Sequence, residues 1–365
     1  MKIALLGDIA LFGRMSVTEN PKVADYFAEV ADYLGKFDYV VGNLETPFSV
    51  EKKTYGAKSA YICSDVVNIE TLKQLHVNAV TLANNHMFDF GTEGYETTKT
   101  VLEEVGIDFF GTEGIELKKD ICGNKLALSG YCCYSSNPLQ CVPSGDYGVN
   151  AYNLLQVADT IKRNHDEGFL NIVAVHAGLE HVNYPSIDHI TAARMLADVC
   201  PYVYYGHHPH VIQGVEEHGG SLIAHSLGNF CFDDVYSTVS STTPLITLTE
   251  NNRTGMILEL TIEDNEIIGW HEQLIYIGKD GIVLMQDHPN ILEDYNNALS
   301  HCDGEDYTKM RNEILAKHIS ERKAMRNMQW YFKRLRPKYV KLMFDNKKNI
   351  KLYNNNIKQY IENGL

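Results

Sequence analysis

The residues best suited to chemistry are three histidines that follow a predicted strand, in the segment Gly206-His207-His208-Pro209-His210. Imidazole nitrogen is a common ligand for zinc, iron and manganese, so this spacing indicates one edge of a metal site. Side chains two positions apart in an extended chain point the same way, which favours His208 and His210 as ligands. A bend at Pro209 would instead pair His207 with His210, so the register stays open.

Four other places in the first 230 residues put a polar side chain just past an apolar, strand-like run. Carboxylate, amide and imidazole groups all bind divalent cations, and strand ends converge at one edge of an α/β sheet. In isolation each place has an ordinary alternative: a turn Asp, an Asx turn, a helix cap or a satisfied core histidine. Together they predict a metal site with these ligands: Asp8, Glu45, Asn85, His176, His208 and His210.

His86 and Asp89 are the candidate catalytic pair, because a carboxylate three residues away can orient an imidazole that protonates a leaving group or stabilises charge. Other polar residues in the same blocks are candidate substrate contacts or supports for the ligands. Arg14 is among them as an anion-binding group, with a plain surface position as its alternative. The full set is Arg14, Asn43, Asn84, Glu180, His181, His207 and Asn229.

Short apolar runs alternate with helical patterns through the first 230 residues, which predicts an α/β fold. The predicted strands are Lys2–Leu6, Asp38–Val41, Ala79–Leu82, Asp108–Phe110, Leu126–Ser129, Asn171–Val175 and Tyr202–Tyr205. The predicted helices are Pro21–Leu34, Ser64–Leu75, Thr92–Val105, Ala151–Asp166 and Ile187–Val199.

The alternation of strand-like and helix-like segments ends after Val211. Two pairs of strands joined by short turns predict an antiparallel half-sheet: Val211–Glu216, Ser221–His225, Gly255–Ile262 and Ile267–Tyr276. Farther on, Tyr307–Leu335 is predicted as one long helix that ends near Pro337, and a basic, Asn-rich helix follows. We therefore divide the chain into a main domain, residues 1–281, and a basic helical extension, residues 282–365.

The charge is unevenly distributed. The chain has 32 Lys and Arg against 47 Asp and Glu, of which 15 and 7 follow residue 300, so the tail carries +8 and the rest −23. The basic tail could meet an anionic membrane, a polymer or an acidic neighbour, or be a solvated appendage. Nucleic-acid binding is not expected from an acidic body. Without a long apolar run or a signal peptide, we expect a cytoplasmic protein, with peripheral membrane attachment as the alternative.

In order and spacing, these blocks resemble the CapA-type proteins of poly-γ-glutamate capsule biosynthesis, which belong with the calcineurin-like metallophosphoesterases. The resemblance runs from about Lys2 to Asp233. It rests on Gly7-Asp8, Asn43-Leu44-Glu45, Ala83-Asn84-Asn85-His86 with Asp89, His176-Ala177-Gly178-Leu179-Glu180, the histidine cluster and Ser226-Leu227-Gly228-Asn229-Phe230. It implies a four-layer α/β/β/α sandwich with metal ions at the strand ends.

This chain departs from the superfamily pattern at two places. Asp8-Ile9-Ala10 lacks the histidine of the usual Asp-x-His motif, and Asn43-Leu44-Glu45 replaces the usual bridging aspartate motif. The resemblance therefore implies one or two divalent ions, Mn, Fe or Zn, with Glu45 as the bridge if there are two.

The leading hypothesis is a metal-dependent hydrolase that acts on a phosphorylated or polymeric anionic substrate in capsule, poly-γ-glutamate or exopolysaccharide biosynthesis. One alternative is a non-catalytic accessory or scaffold subunit, whose basic helices bind membrane-associated polymer synthesis machinery or another copy of the chain. Another is a hydrolase of γ-glutamyl or other amide bonds.

Overall fold

The computed structural model describes residues 1–50, 60–133, 136, 141–142, 145–237, 240–286, 291–324, 328 and 337–363. Its strands are β1 (Lys2–Ile9), β2 (Tyr39–Leu44), β3 (Ala79–Thr81), β4 (Asp108–Phe110), β5 (Leu117–Ile121), β6 (Asn124–Cys132), β7 (Cys141–Val142), β8 (Val149–Asn150), β9 (Leu170–His176), β10 (Val203–His207), β11 (Val215–His218), β12 (Ser221–Ala224), β13 (Asn229–Cys231), β14 (Val235–Ser237), β15 (Ser240–Ile246), β16 (Thr254–Glu263), β17 (Glu266–Ile277) and β18 (Ile282–Leu284). Its helices are α1 (Val23–Tyr26), α2 (Ala28–Leu34), α3 (Ile69–Gln74), α4 (Gly91–Val105), α5 (Leu154–Asp166), α6 (Ile187–Val199), α7 (Glu250–Arg253), α8 (Ile291–Ser300), α9 (Glu305–Ala324) and α10 (Pro337–Asn363), with 3₁₀ turns at Gly13–Met15 and Val66–Asn68.

Two large sheets form the centre of the molecule. The first has the order β18-β17-β16-β1-β2-β3-β4, and β13 also pairs with β1. The second has the order β11-β12-β10-β9-β6-β5. The inner strands of both sheets are parallel, whereas β16, β17 and β18 in the first sheet and the edge strands β5 and β11 in the second are antiparallel.

The two sheets pack face to face, with helices on their outer sides. Along β1, Ile3 and Leu5 point into the core between the sheets, while Ala4 and Leu6 point to the helical layer of α2, α3 and α4. The outer face of the second sheet packs on α5 and α6. Strands covered on both faces must be apolar throughout, which explains their continuous apolar runs. The four-layer α/β/β/α arrangement is confirmed.

Most predicted elements exist, with shifted ends. The predicted helix Pro21–Leu34 is wrong as a single helix, because the chain breaks at Phe27 between α1 and α2. The predicted half-sheet after Val211 is also wrong. The hairpin β11–β12 extends the second sheet, and the hairpin β16–β17 extends the first. Hydrophobic alternation identifies a strand but does not say which sheet it joins.

The C-terminal segments contact the body at several points. The backbone N–H of Val215 in β11 donates to Asn296 Oδ1 of α8 at 2.7 Å, and Tyr360 of α10 packs beside α5 and α6. Part of the predicted helix Tyr307–Leu335 lies outside the described residues, and α9 ends at Ala324. Strand β18 lies past residue 281 but belongs to the first sheet, and the domain division stays a prediction.

None of the helices in the described ranges is long and apolar enough to cross a membrane.

Candidate metal centre

Strand pairing brings the candidate residues together at the carboxyl ends of the inner strands. Asp8 of β1 lies opposite Asn43 of β2 on one side and Asn229 of β13 on the other. In the second sheet His176, which ends β9, lies opposite His207, which ends β10. The side chains of these residues are buried, so the region is a polar centre enclosed by the two sheets.

Asp8, Glu45 and His210 form the first group of potential ligands. One ligand atom from each lies within 4.8 Å of the other two. His210 Nδ1 is 3.2 Å from Asp8 Oδ2, and His210 Nε2 is 3.6 Å from Glu45 Oε1. Two carboxylates and an imidazole are a donor set that suits a divalent first-row metal.

Asn85, His176 and His208 form the second group. His176 Nε2 lies 2.9 Å from Asn85 Oδ1 and 3.1 Å from His208 Nδ1. Atoms that share one metal ion at about 2.0–2.1 Å lie roughly 3 Å apart, so these distances suit a shared ion. Because Asn85 follows a strand of the first sheet and the histidines belong to the second, an ion here would join the two sheets.

The two groups differ in the protonation state that their surroundings favour. Burial raises the pKa of Asp8, but hydrogen bonds and charge from His207 and His210 outweigh it and hold this pKa well below its usual range. Burial lowers the pKa of His210, but the charges of Glu45 and Asp8 prevail and raise it to about 10.

In the second group, burial lowers the pKa of His176 and brings that of His208 to about 4, although the charge of Glu180 acts against the shift at His208. These two imidazoles are therefore neutral at pH 7. A neutral imidazole is the form that binds a metal. The donor atoms of both groups fit divalent ions.

The backbone between the histidines decides this division. His208 and His210 both have left-handed conformations, with φ of 94° and 56°. The extended geometry that favoured a shared side for these two residues is therefore wrong. The turn sends His208 to His176 and His210 to Asp8, while His207 Nδ1 contacts Asp8 Oδ1 at 3.0 Å. All three histidines reach the centre, and which of them bind metal stays a prediction.

His86 lies beside the first group with its ring fixed by Asp89. The distance from His86 Nδ1 to Asp89 Oδ2 is 2.6 Å, and the backbone N–H of Ile62 donates to the same oxygen at 3.3 Å. His86 Nε2 faces the centre, 4.0 Å from Glu45 Oε1. This geometry lets His86 present a proton at Nε2 while Asp89 stabilises the charged ring.

Asn43, Asn84 and Asn229 support the ligands. Asn43 Nδ2 donates to Asp8 Oδ1 at 2.8 Å, and Asn84 Nδ2 donates to Asn43 Oδ1 at 3.2 Å. Asn229 Oδ1 is 2.9 Å from His210 Nδ1. Asn43 and Asn229 fix the orientation of a carboxylate and an imidazole, and Asn84 fixes Asn43, so these contacts prepare the donor atoms before an ion binds.

The other candidates lie at the margin of the centre. The ring centroid of His181 is 6.5 Å from that of His210, and the charge of Glu180 reaches both His208 and His210. Arg14 instead forms an ion pair with Asp233, in which Nε and Nη2 both donate to Oδ1, at 2.9 and 2.6 Å. Its guanidinium is thus already engaged, and its role as an anion-binding residue stays a prediction.

Asn252 is a contributor that sequence reasoning missed. Its Nδ2 donates to the carbonyl of His210 at 2.9 Å and lies 2.8 Å from His181 Nδ1. Asn252 lies in α7, more than 40 residues after the histidine cluster. Its only local signal is the capping box that it forms with Thr249, which indicates a helix start rather than a site.

Comparison with known proteins identifies the family. The family model described as bacterial capsule synthesis protein PGA_cap matches residues 2–234. The chain belongs to this family. Capsule biosynthesis protein CapA of Bacillus anthracis is 30% identical over 249 residues, which are 64% of this chain and 60% of that protein. PGA biosynthesis protein CapA of Bacillus subtilis is 28% identical over 246 residues, 64% of this chain and 63% of that protein.

The match to these PGA_cap relatives thus spans less than two thirds of their length. Among solved structures, NAD nucleotidase of Haemophilus influenzae resembles the chain with a TM-score of 0.41 and 13% identity, over 89% of this chain and 61% of that one. The PGA_cap match includes Asp8, Glu45, Asn85, His176, His208 and His210, whereas Asn252 and the helices α8, α9 and α10 lie outside it.

Proposed function

We propose that this chain is a divalent-metal-dependent hydrolase that cleaves a phosphoester or a related polymer linkage in the biosynthesis of capsule, poly-γ-glutamate or exopolysaccharide. One observation carries the proposal: two groups of potential ligands are buried beside an imidazole that a carboxylate already orients. The names of the capsule relatives support a role in capsule biosynthesis, and the geometry of the ligand groups supports metal-dependent hydrolysis.

Asp8, Glu45 and His210 would hold one ion, and Asn85, His176 and His208 another. A bound divalent ion supplies Lewis acidity and lowers the pKa of coordinated water. His86 would donate the proton from Nε2 to the leaving oxygen, since Asp89 holds Nδ1 on the opposite edge of the ring. Burial of the centre keeps bulk water away and strengthens every charge interaction within it.

The first test is the metal content of protein purified without chelator, measured by inductively coupled plasma mass spectrometry. We expect near-stoichiometric Mn, Fe or Zn in the unmodified chain and its loss in the double variant His208→Ala/His210→Ala. The matched control is His165→Ala/His218→Ala, which removes two histidines outside the centre. Protein that contains no metal and takes up none of the three on titration would contradict the proposal.

Turnover of p-nitrophenyl phosphate with the metal added back tests the chemistry. We expect Asn85→Ala and His176→Ala to abolish turnover without unfolding the chain, because each removes a ligand of the second group. His86→Ala should keep its metal and lose roughly 100-fold or more in rate, since a positioned acid contributes about 10²–10⁴-fold. Full activity in all three variants would exclude these assignments.

A specific surface favours a second candidate, an accessory subunit that binds an anionic membrane. On α10, Val340, Phe344, Lys347, Lys348 and Lys351 follow one another at helical spacing, so they share one face. Phe344 is 70% exposed, and Val340 is exposed beside it. An acidic protein surface would pair the lysines and leave Phe344 in water, whereas an anionic bilayer accepts both groups.

Flotation with phosphatidylglycerol vesicles tests this surface. Each lysine near an anionic bilayer contributes about 1 kcal/mol, so Lys347→Gln/Lys348→Gln/Lys351→Gln should weaken binding about 100-fold. The control Lys73→Gln/Lys118→Gln/Lys162→Gln removes the same charge from the body and should leave binding unchanged. Equal binding to phosphatidylcholine vesicles, or self-association without vesicle binding, would exclude the membrane role.

A further inference from the structure

The loop of residues 177–186 connects β9 to α6 and passes beside the metal centre. The backbone N–H of His181 in this loop donates to the carbonyl of Pro209 at 2.7 Å. Pro209 lies between His208 and His210, so this hydrogen bond holds the loop against the turn that separates the two groups of potential ligands.

The loop also brings two polar side chains close to the histidines. The charge of Glu180 acts on both His208 and His210, and the ring centroid of His181 lies 6.5 Å from that of His210. The position of this loop therefore affects the surroundings of both groups of potential ligands.

The middle of the loop is held by residues inside the PGA_cap match. Gln213 Nε2 donates to the carbonyl of Val182 at 2.7 Å, and Asn183 Nδ2 donates to the carbonyl of Ile212 at 3.0 Å. These bonds fix residues 182 and 183 but leave the next two carbonyls, at Tyr184 and Pro185, to other partners.

Helix α9, which lies outside the PGA_cap match, provides those partners. Tyr307 Oη donates to the carbonyl of Pro185 at 2.8 Å, in a buried position. Arg311 Nε donates to the carbonyl of Tyr184 at 3.3 Å. The ring of Tyr184 also meets the rings of Tyr295 and Tyr307 edge to face, at centroid distances of 5.4 and 6.0 Å.

Helices α8 and α9 are themselves anchored to the body. Leu299, Cys302 and Tyr307 pack against Ile190 of α6, and Arg194 Nη2 donates to the carbonyl of Leu299 at 3.3 Å. Together these contacts fix the start of α9 against α6, at the end of the loop. Tyr307 and Arg311 therefore contact the loop from a helix whose start is packed against the body.

Arg311 has a setting that suits a contact with a backbone carbonyl. It forms no ion pair with any residue that the structure describes, and its Nε donates to the loop carbonyl of Tyr184, while the charges of Tyr307 and Asp188 also act on it. Consistent with this setting, burial lowers the pKa of Arg311.

We propose that Tyr307 and Arg311 are positioning residues that hold loop 177–186, and with it Glu180 and His181, against the metal centre. The C-terminal segment then helps to position residues beside the metal centre and is more than a solvated appendage. The positioning itself is independent of the proposed hydrolase activity, and only its effect on metal affinity rests on that proposal.

Hydrogen exchange by mass spectrometry on the full chain tests the positioning. Loss of one buried hydrogen bond should speed the exchange of amides 179–183 about tenfold in Tyr307→Phe and in Arg311→Met. Arg311→Lys, which keeps a donor, should recover part of the protection. Exchange in β9 and α6 should stay unchanged, as should the whole pattern in the control Arg163→Met, which removes an exposed arginine from α5.

Titration with Mn²⁺ measures the consequence for the centre. Residues that support metal ligands alter affinity by about 10–100-fold, so we expect Tyr307→Phe to weaken Mn²⁺ binding about tenfold. The melting temperature of the metal-free chain should fall by only about 2 °C, since the variant loses one buried hydrogen bond. Unaltered exchange in the loop, or faster exchange throughout the chain, would overturn the positioning role. If the unmodified chain binds none of Mn²⁺, Fe²⁺ and Zn²⁺, the hydrolase proposal fails, while the exchange result still decides the role of Tyr307 and Arg311.

Discussion

At the scale of single residues, the protonation of His210 distinguishes the two groups of ligands. The carboxylates of Asp8 and Glu45 raise its pKa to about 10, so the metal-free imidazole carries a proton at pH 7. His208, with a pKa of about 4, is uncharged at pH 7 and keeps one nitrogen free of a proton. A metal ion that binds His210 must displace a proton from the ring nitrogen that it uses. A metal ion that binds the unprotonated nitrogen of His208 displaces no proton.

Metal affinity at the first group should therefore rise with pH. Between pH 6 and 8, His210 is protonated in the metal-free chain, and binding should release about one proton and tighten roughly tenfold per pH unit. Calorimetric Mn²⁺ titrations in buffers of different ionisation enthalpy count that proton. His208→Ala should keep the proton release and His210→Ala should lose it. Binding with no proton release in the unmodified chain would contradict the predicted role of His210.

The contact between His86 and Asp89 leads to a second expectation at this scale. Asp89→Asn keeps the shape of the side chain but removes the charge that orients and stabilises the imidazole ring. We expect turnover to fall about 10–100-fold while metal content stays unchanged. Steady-state kinetics together with metal analysis separate the two effects, and a loss of metal in this variant would show that Asp89 acts on the ligands instead.

At the scale of elements, two glycines allow backbones to cross closely beside the centre. A Cβ on Gly206 in β10 would lie 1.9 Å from the carbonyl oxygen of His225, and one on Gly7 in β1 would lie 2.1 Å from that of Gly228. No side chain can yield at either place, because the obstacle is backbone. These crossings let β10 and β1 bring His207 and Asp8 to the same centre.

Gly206→Ala should therefore destabilise the chain by about 3 kcal/mol or prevent folding, since overpacking against a rigid neighbour costs this much. Gly269→Ala in β17 is the control, because a Cβ there meets no atom within 4 Å. We expect it to change stability by less than about 0.5 kcal/mol. Chemical denaturation measures both variants, and equal stability of the two would contradict the geometry of the crossing.

At the scale of the whole molecule, the candidate ligands join the two sheets. Asp8, Glu45 and Asn85 come from the first sheet and the loops that follow its strands, whereas His176, His208 and His210 come from the second. An ion that bridges these residues binds only the folded chain, so its binding free energy adds to the stability of the sandwich.

Removal of metal should therefore lower the melting temperature. Metal at 100 times its dissociation constant stabilises a fold by about 2.7 kcal/mol, which corresponds to a shift of roughly 3–4 °C for a chain of this length. Thermal unfolding with and without chelator measures the shift, and His208→Ala/His210→Ala should melt alike in both. A melting temperature that is the same with and without chelator would contradict a metal ion that joins the two sheets.

Much of the fold could be predicted because its signals are local. Apolar runs such as Asn171–Val175 mark strands that are covered on both faces, and periodic segments such as Ile187–Val199 mark helices. The chemistry of the centre was also visible, since Asp8, His86 and His176 directly follow or end such runs. Residue type and spacing are properties of the chain itself, so the sequence alone supports a metal-binding α/β protein.

Only the tertiary structure decided which groups meet. The left-handed turn at His208 and His210 separates two histidines that an extended strand would have placed on one side. Asp233 engages Arg14, Asn252 reaches His210 from a distant segment, and Tyr307 reaches the loop that follows β9. These contacts depend on backbone conformation and on long-range strand and helix packing, in which each neighbour is chosen by the whole fold rather than by the residues beside it in sequence.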